Sequence, residues 1–154
     1  MNTPELAFTI RQILRYPLVI ALLAQLTAQA FKVILYSLTE RRFAIDRFLF
    51  FGGVPSGHTA FVTGAAAAFG LQRGVTSDVF ALAVVFGAIV IYDAVRLRGI
   101  IQRHAEVLNL LLAPRQDAGL SSEKPLPEHV GHTTFEIVAG IAWGIAWAVA
   151  LTYW

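Results

Sequence analysis

Cysteine is absent from the 154 residues, which excludes disulfides and thiolate metal sites. Charge is scarce: Asp, Glu, Lys and Arg make up 14% of the chain, where a soluble domain carries about a quarter. No basic run is interleaved with aromatics, so the net charge of +2 implies no nucleic-acid partner. No H-x-x-x-H or H-E-x-x-H pairing is present, and cations accompany the histidines, so neither a metal nor another cofactor is expected. Ser56 lacks the G-x-S-x-G setting of a hydrolase nucleophile. No small-residue cleavage site follows the first apolar run, which argues against a removed signal peptide.

What fills the chain is apolar: 56% hydrophobic residues and a mean hydropathy of +0.63. The composition predicts one all-α domain, a multi-pass membrane bundle of about four spans with added amphipathic helices. Residues 1–16 carry Leu6, Ile10, Ile13 and Leu14 at helical spacing, with Thr3 and Pro4 suited to the cap and first position. They read as an interfacial helix or as an extension of the first span. The spans are expected at 17–38, 56–72, 79–95 and 135–153. The first would reach roughly 33 Å and the second only about 26 Å, so the second thins the bilayer or is sheltered by neighbours.

Residues 98–113 are helical but not membrane-like. Arg98, Gln102, Glu106 and Asn109 share one stripe, and Ile100, Ile101, Leu108 and Leu111 the other side. This amphipathic helix is expected on the membrane surface or over a polar site. Residues 114–131 read as a loop. Alternating spans place Arg41, Arg42, Arg47, Arg96, Arg98, Arg103, Arg115 and Lys124 on one side, and Arg11, Arg15 and Arg73 on the other. The richer side is expected in the cytoplasm.

That side also collects the polar oddities. Lys32 lies near the end of span one, and is either snorkelling or functional. Ser56 is a plausible N-cap for span two, and turn geometry accounts for Gly52, Gly53 and Pro55. Neither accounts for His58, and a glycine-flanked helix start suits phosphate. Thr133 and Glu136 fit a capping box. Were the helix to include His132, Glu136 would stand four residues on and hold one ring nitrogen while aiming the other. Asp93 near a helix end calls for a cationic partner among Lys32, Arg96 and Arg98. His104 sits on the apolar side of its helix, beside Leu108 and Leu111.

Taken in order, Lys32, "GGVPSGHTA", "YDAVRLR", "LN" at Leu108–Asn109 and "GHTTFEIVAG" resemble the small divergent branch of the type 2 phosphatidic acid phosphatase superfamily, related to the vanadium haloperoxidases. The resemblance covers about Gln29 to Gly144. It implies metal-independent phosphate transfer, with His132 as nucleophile, Glu136 orienting it and His58 as general acid. It also implies that Lys32, Arg98 and the backbone of Ser56 and Gly57 bind the phosphate, with Asp93 and Asn109 in support. The wider family has K-x6-R-P; here Thr39 stands at the arginine position without a following proline, and Arg41 is the expected substitute. An alternative pairing of Arg98 with His104 puts Leu108 where the orienting acid belongs. The expected substrate is a lipid phosphate or diphosphate, of the polyprenyl phosphate or phosphatidate type. The setting implied is a bacterial inner membrane with the active face cytoplasmic. The other reading is a non-catalytic membrane subunit that binds lipid headgroups or a partner membrane complex; membrane lipids, and a homo-oligomer or larger membrane complex, are the partners considered.

Overall fold

The computed structural model describes residues 2–48, 53–117, 125–126 and 133–154, with side chains except those of Asp46, Arg47, Leu97, Arg98 and residues 114–117. Its helices are α1 (Thr3–Leu14), α2 (Pro17–Glu40), α3 (Gly57–Arg73), α4 (Asp78–Tyr92), α5 (Arg98–Asp117) and α6 (Thr134–Tyr153). A 3-10 turn spans Ile45–Phe48, and a π turn, Asp93–Leu97, joins α4 to α5. No strand occurs among the described residues.

Three helical stretches are long and apolar enough to cross a membrane: Pro17–Glu40, Asp78–Ala113 and Thr134–Tyr153. The second runs unbroken through the π turn, so residues 98–113 continue the helix of the third span. Its 36 residues would reach about 54 Å, well beyond a hydrocarbon core of roughly 30 Å. The helix also continues one turn past Pro114, to Asp117.

α3 is the central helix. With 17 residues it spans only about 26 Å, but α2, α4 and α6 all pack against it. The contacts are between small residues. Ala24 and Ala28 of α2 cluster with Ala60, while Ile20 clusters with Ala68 and Ala148. On α6, Gly140 and Gly144 face Ser56, Thr59, Ala60 and Gly64. This G-x-x-x-G spacing allows two backbones to approach closely without side chains between them. α3 therefore tolerates Thr59 and Thr63, because its neighbours shield it from lipid. Trp143 bridges α6 to α2, its Nε1 donating to Thr27 Oγ1 at 3.0 Å.

At the opposite end, α1 is tied to the bundle. The Arg15 Nη2 donates to the Thr152 carbonyl, and Gln72 Nε2 donates to the Arg15 carbonyl at 2.7 Å. Arg11 lies 5.6 Å from the Trp154 ring centroid. The N-cap of α1 is Asn2 rather than Thr3, in a capping box with Glu5.

Candidate functional site

On α2, the residues that face α3 recur every fourth position. Ile20, Ala24, Ala28 and Lys32 are all buried, with Lys32 only 2% exposed. Lys32 thus occupies the last place of the packing stripe. It points into the bundle and does not snorkel. Its neighbours on the same face are Gln29, one turn before, and Tyr36, one turn after. The Gln29 amide lies against Gly57, while Lys32 Cδ and the Tyr36 ring lie against Gly53. Gly53 has φ +84°, and a Cβ there would stand 3.2 Å from the Tyr36 hydroxyl, so both backbone and space demand glycine.

Ser56 is the N-cap of α3, its Oγ accepting from the Thr59 N–H at 3.4 Å and the Thr59 hydroxyl at 3.0 Å. Its own N–H donates to the Glu136 carbonyl at 2.9 Å, and the residue is 0% exposed. The expectation that the Ser56 backbone binds phosphate is corrected here: α6 already takes that N–H. Gly57 is buried at the first helical position and His58 is half-buried at the second. Their N–H groups belong to the turn that has no intrahelical acceptor.

Glu136 joins the two motif segments. Its Oε1 accepts the Gly53 N–H at 2.9 Å, and its Oε2 accepts the Thr133 N–H at 3.1 Å. Thr133 Oγ1 returns a bond from the Glu136 N–H at 3.3 Å, completing the capping box. The carboxylate also interacts electrostatically with Lys32. Thr133 is the N-cap, so the helix begins at Thr134. His132 itself lies outside the described residues. Glu136→Gln is expected to lower stability by about 1–3 kcal/mol, because an amide NH2 must then face a backbone N–H. Thermal denaturation of the detergent-solubilised variant measures it; an unchanged midpoint would show that the clamp contributes nothing.

The remaining candidates are spread around this centre. Arg41 is the exposed C-cap of α2, in a left-handed conformation with φ 52°, and stands roughly 13 Å along the axis from Lys32. Asp93 is half-buried at the start of the π turn, and Arg98 opens α5 just after it; the Arg98 side chain is outside the described set. Asn109 pairs with Leu126. Its Nδ2 donates to the Leu126 carbonyl at 2.9 Å, and its Oδ1 accepts the Leu126 N–H at 2.8 Å. His104 is exposed on α5, as are Leu108 and Leu111. Among the described residues, no group of three or more His, Cys, Asp or Glu side chains could hold a metal.

Gln29 and Tyr36 were not among the sequence candidates. The signal was present, since Gln29, Lys32 and Tyr36 form a polar stripe at i, i+3 and i+7 within an apolar helix.

A family model described as "Divergent PAP2 family" matches residues 13–147. YuiD, an uncharacterized membrane protein of Bacillus subtilis (strain 168), is 29% identical over 149 residues, covering 90% of this chain and 94% of its own. No solved structure matches. The three long apolar helices and this membrane relative identify an integral membrane protein.

Proposed function

The chain belongs to the divergent PAP2 family, and from that footing we propose that it is a membrane phosphatase that hydrolyses a lipid phosphate or diphosphate. The observation that carries the reading is the clamp at Glu136, which binds the Gly53–Ser56 turn to the start of α6. It ties the turn before His58 to Glu136, four residues after His132 in the sequence, beside the buried Lys32.

In this reading Lys32 and the first turn of α3 hold the phosphate, with Arg98 reaching it from the start of α5. Phosphoryl transfer needs chiefly positioning and positive electrostatics. A ring nitrogen of His132 attacks phosphorus, and the bond to the lipid oxygen breaks. His58 gives its proton to that oxygen. A water then loses a proton to His58 and attacks the phosphohistidine, releasing phosphate and restoring His132. Glu136 fixes the turn against the helix that follows His132.

The hydrocarbon tail has a path. A groove of about 430 Å³ between α2, α3 and α4 is lined by Leu18, Phe61, Phe69, Leu82 and Phe86, among others. Phe61 lies one turn beyond His58. The excess of Arg and Lys near the Lys32 end supports a cytoplasmic active face, and the proposed setting is a bacterial inner membrane.

The test is phosphate release from phosphatidate and polyprenyl phosphates by purified protein in chelator. Wild type is expected to turn over, and His58→Ala and His132→Ala to lose at least about a hundredfold, with label trapped on His132. Release no greater than that of His132→Ala would overturn the enzymatic reading. Headgroup binding without turnover would point instead to a non-catalytic lipid-binding subunit.

A further inference from the structure

α5 is reversed in polarity on a face that the mechanism above does not use. At about 100° per residue, Val107, Ile100, Leu111, Leu108 and Ile101 fall within an arc of about 120°. Each is 47–67% exposed. On the other side stand Asn109, Gln102 and Glu106, all half-buried, beside Ala105 at 7% exposure. The polar stripe is therefore the covered side of the helix and the apolar arc the open one. A helix facing water has the opposite arrangement, and a contiguous exposed apolar patch marks a contact.

The level at which α5 starts identifies the contact. α4 and the π turn hold 15 and 5 residues, which together reach roughly 30 Å, the thickness of a hydrocarbon core. In a stretch long and apolar enough to cross a membrane, the exposed Val84, Val85 and Ile89 of α4 face lipid. The same helix passes unbroken into α5. α5 thus begins where hydrocarbon gives way to headgroups, continuous with a lipid-facing surface. Cations border its arc. Arg96 and Arg103 are exposed, and Arg103 stands about 40° around the helix from Val107. His104, exposed within the arc, has the apolar body and polar tip of an interfacial side chain. An apolar arc edged by arginine is what an amphipathic helix presents to an anionic bilayer surface.

We propose that this arc is a membrane-docking face. Its five apolar side chains insert at the acyl boundary of the leaflet at the Lys32 end, and Arg96 and Arg103 meet anionic headgroups there. The polar stripe stays turned toward the protein. Membrane contact and phosphate chemistry are then served by different faces, and a chain without phosphatase activity would keep the docking face.

The chain has no cysteine, so single cysteines can carry spin labels at Val107, Leu108 and Leu111. Val84 serves as the lipid reference and the exposed Thr76, between α3 and α4, as the water reference. Collisions with oxygen, which enters hydrocarbon, and with a neutral nickel chelate, which stays in water, are measured for purified protein in discs of phosphatidylcholine and phosphatidylglycerol. The arc labels are expected to resemble Val84, with nickel collisions at least about tenfold below those at Thr76, because a polar complex is excluded from hydrocarbon. Discs of phosphatidylcholine alone should raise nickel collisions at Val107 by about twofold or more, as the pull of the anionic headgroups is lost. Any one arc position decides, so a label that prevents folding at one leaves the other two. Nickel collisions at the Thr76 level would overturn the proposal by placing the arc in water. Shielding from both reagents would overturn it in favour of a second copy or another protein covering the arc. Equal nickel collisions in the two kinds of disc would overturn the headgroup contact.

Discussion

Lys32→Met is expected to reduce phosphate release by at least about a hundredfold while leaving the melting temperature unchanged or raised. The two effects have opposite origins. One preorganised donor facing a phosphoryl group contributes on the order of 10²–10³ in rate, and Lys32 is the charged member of the α2 stripe. Burying an ammonium is costly even beside a carboxylate such as Glu136, and an apolar side chain of similar length removes that cost. Lys32 closes the row Ile20, Ala24, Ala28, so methionine would continue an apolar face. Lys32→Arg should not restore turnover. Lys32 Cδ already lies 3.6 Å from the Cβ position at Gly53, and the planar guanidinium is bulkier. Near-normal turnover in Lys32→Met would reduce the lysine to a structural residue. A sharply lower melting temperature would show that its interaction with Glu136 outweighs desolvation.

Gly144→Leu is expected to abolish the folded bundle, with Gly144→Ala already destabilising by several kcal/mol. A Cβ on Gly144 would stand 2.5 Å from the Ala60 carbonyl oxygen and 2.7 Å from the Gly64 nitrogen, besides meeting the Thr63 hydroxyl. Two of these are backbone atoms of the central helix, which cannot rotate away. α6 would have to withdraw from α3, and the Ser56-to-Glu136 bond lies on the same seam. Gly99 is the control, since nothing lies within 4 Å of its Cβ position. Gly99→Ala should be neutral or stabilising by up to about 1 kcal/mol, the helix preference of alanine. Size-exclusion profiles and thermal melts of both variants in one detergent decide the matter. A monodisperse Gly144→Leu with the wild-type midpoint would refute the tight seam.

Much of the bundle was legible because lipid imposes length. α2 and α6 are apolar runs of 24 and 20 residues, and such runs announce themselves. α3 was legible too, expected at 56–72 and found at Gly57–Arg73; its small residues suit a helix packed among other helices. The continuity after Tyr92 was not legible. Charged Asp93, Arg96 and Arg98 suggest a break in the helix, but the backbone passes them by widening into a π turn. At the site, Lys32 stood out as a charge in an apolar helix. Gln29 did not, because a neutral amide is unremarkable until its oxygen is found without a donor among the described residues. Ser56 was misassigned because the acceptor of its N–H comes from α6, and no local pattern near residue 56 encodes it. The Glu136 clamp was only half visible: the T-x-x-E box is local, whereas the bond from Gly53 is not.

The π turn also fixes an azimuth. A π turn holds about one residue more than the α-helical path it replaces, which offsets all that follows by about 100°. Among the described elements, α5 is joined to the bundle chiefly by its covalent continuity with that turn. Its phase therefore decides which way the Gln102, Glu106 and Asn109 stripe looks. Asn109 meets Leu126 because of that phase. An α-helical path through the same residues would swing Asn109 about a quarter-turn away. Leu126 would then lose its hold on α5, although no residue of the stripe had changed.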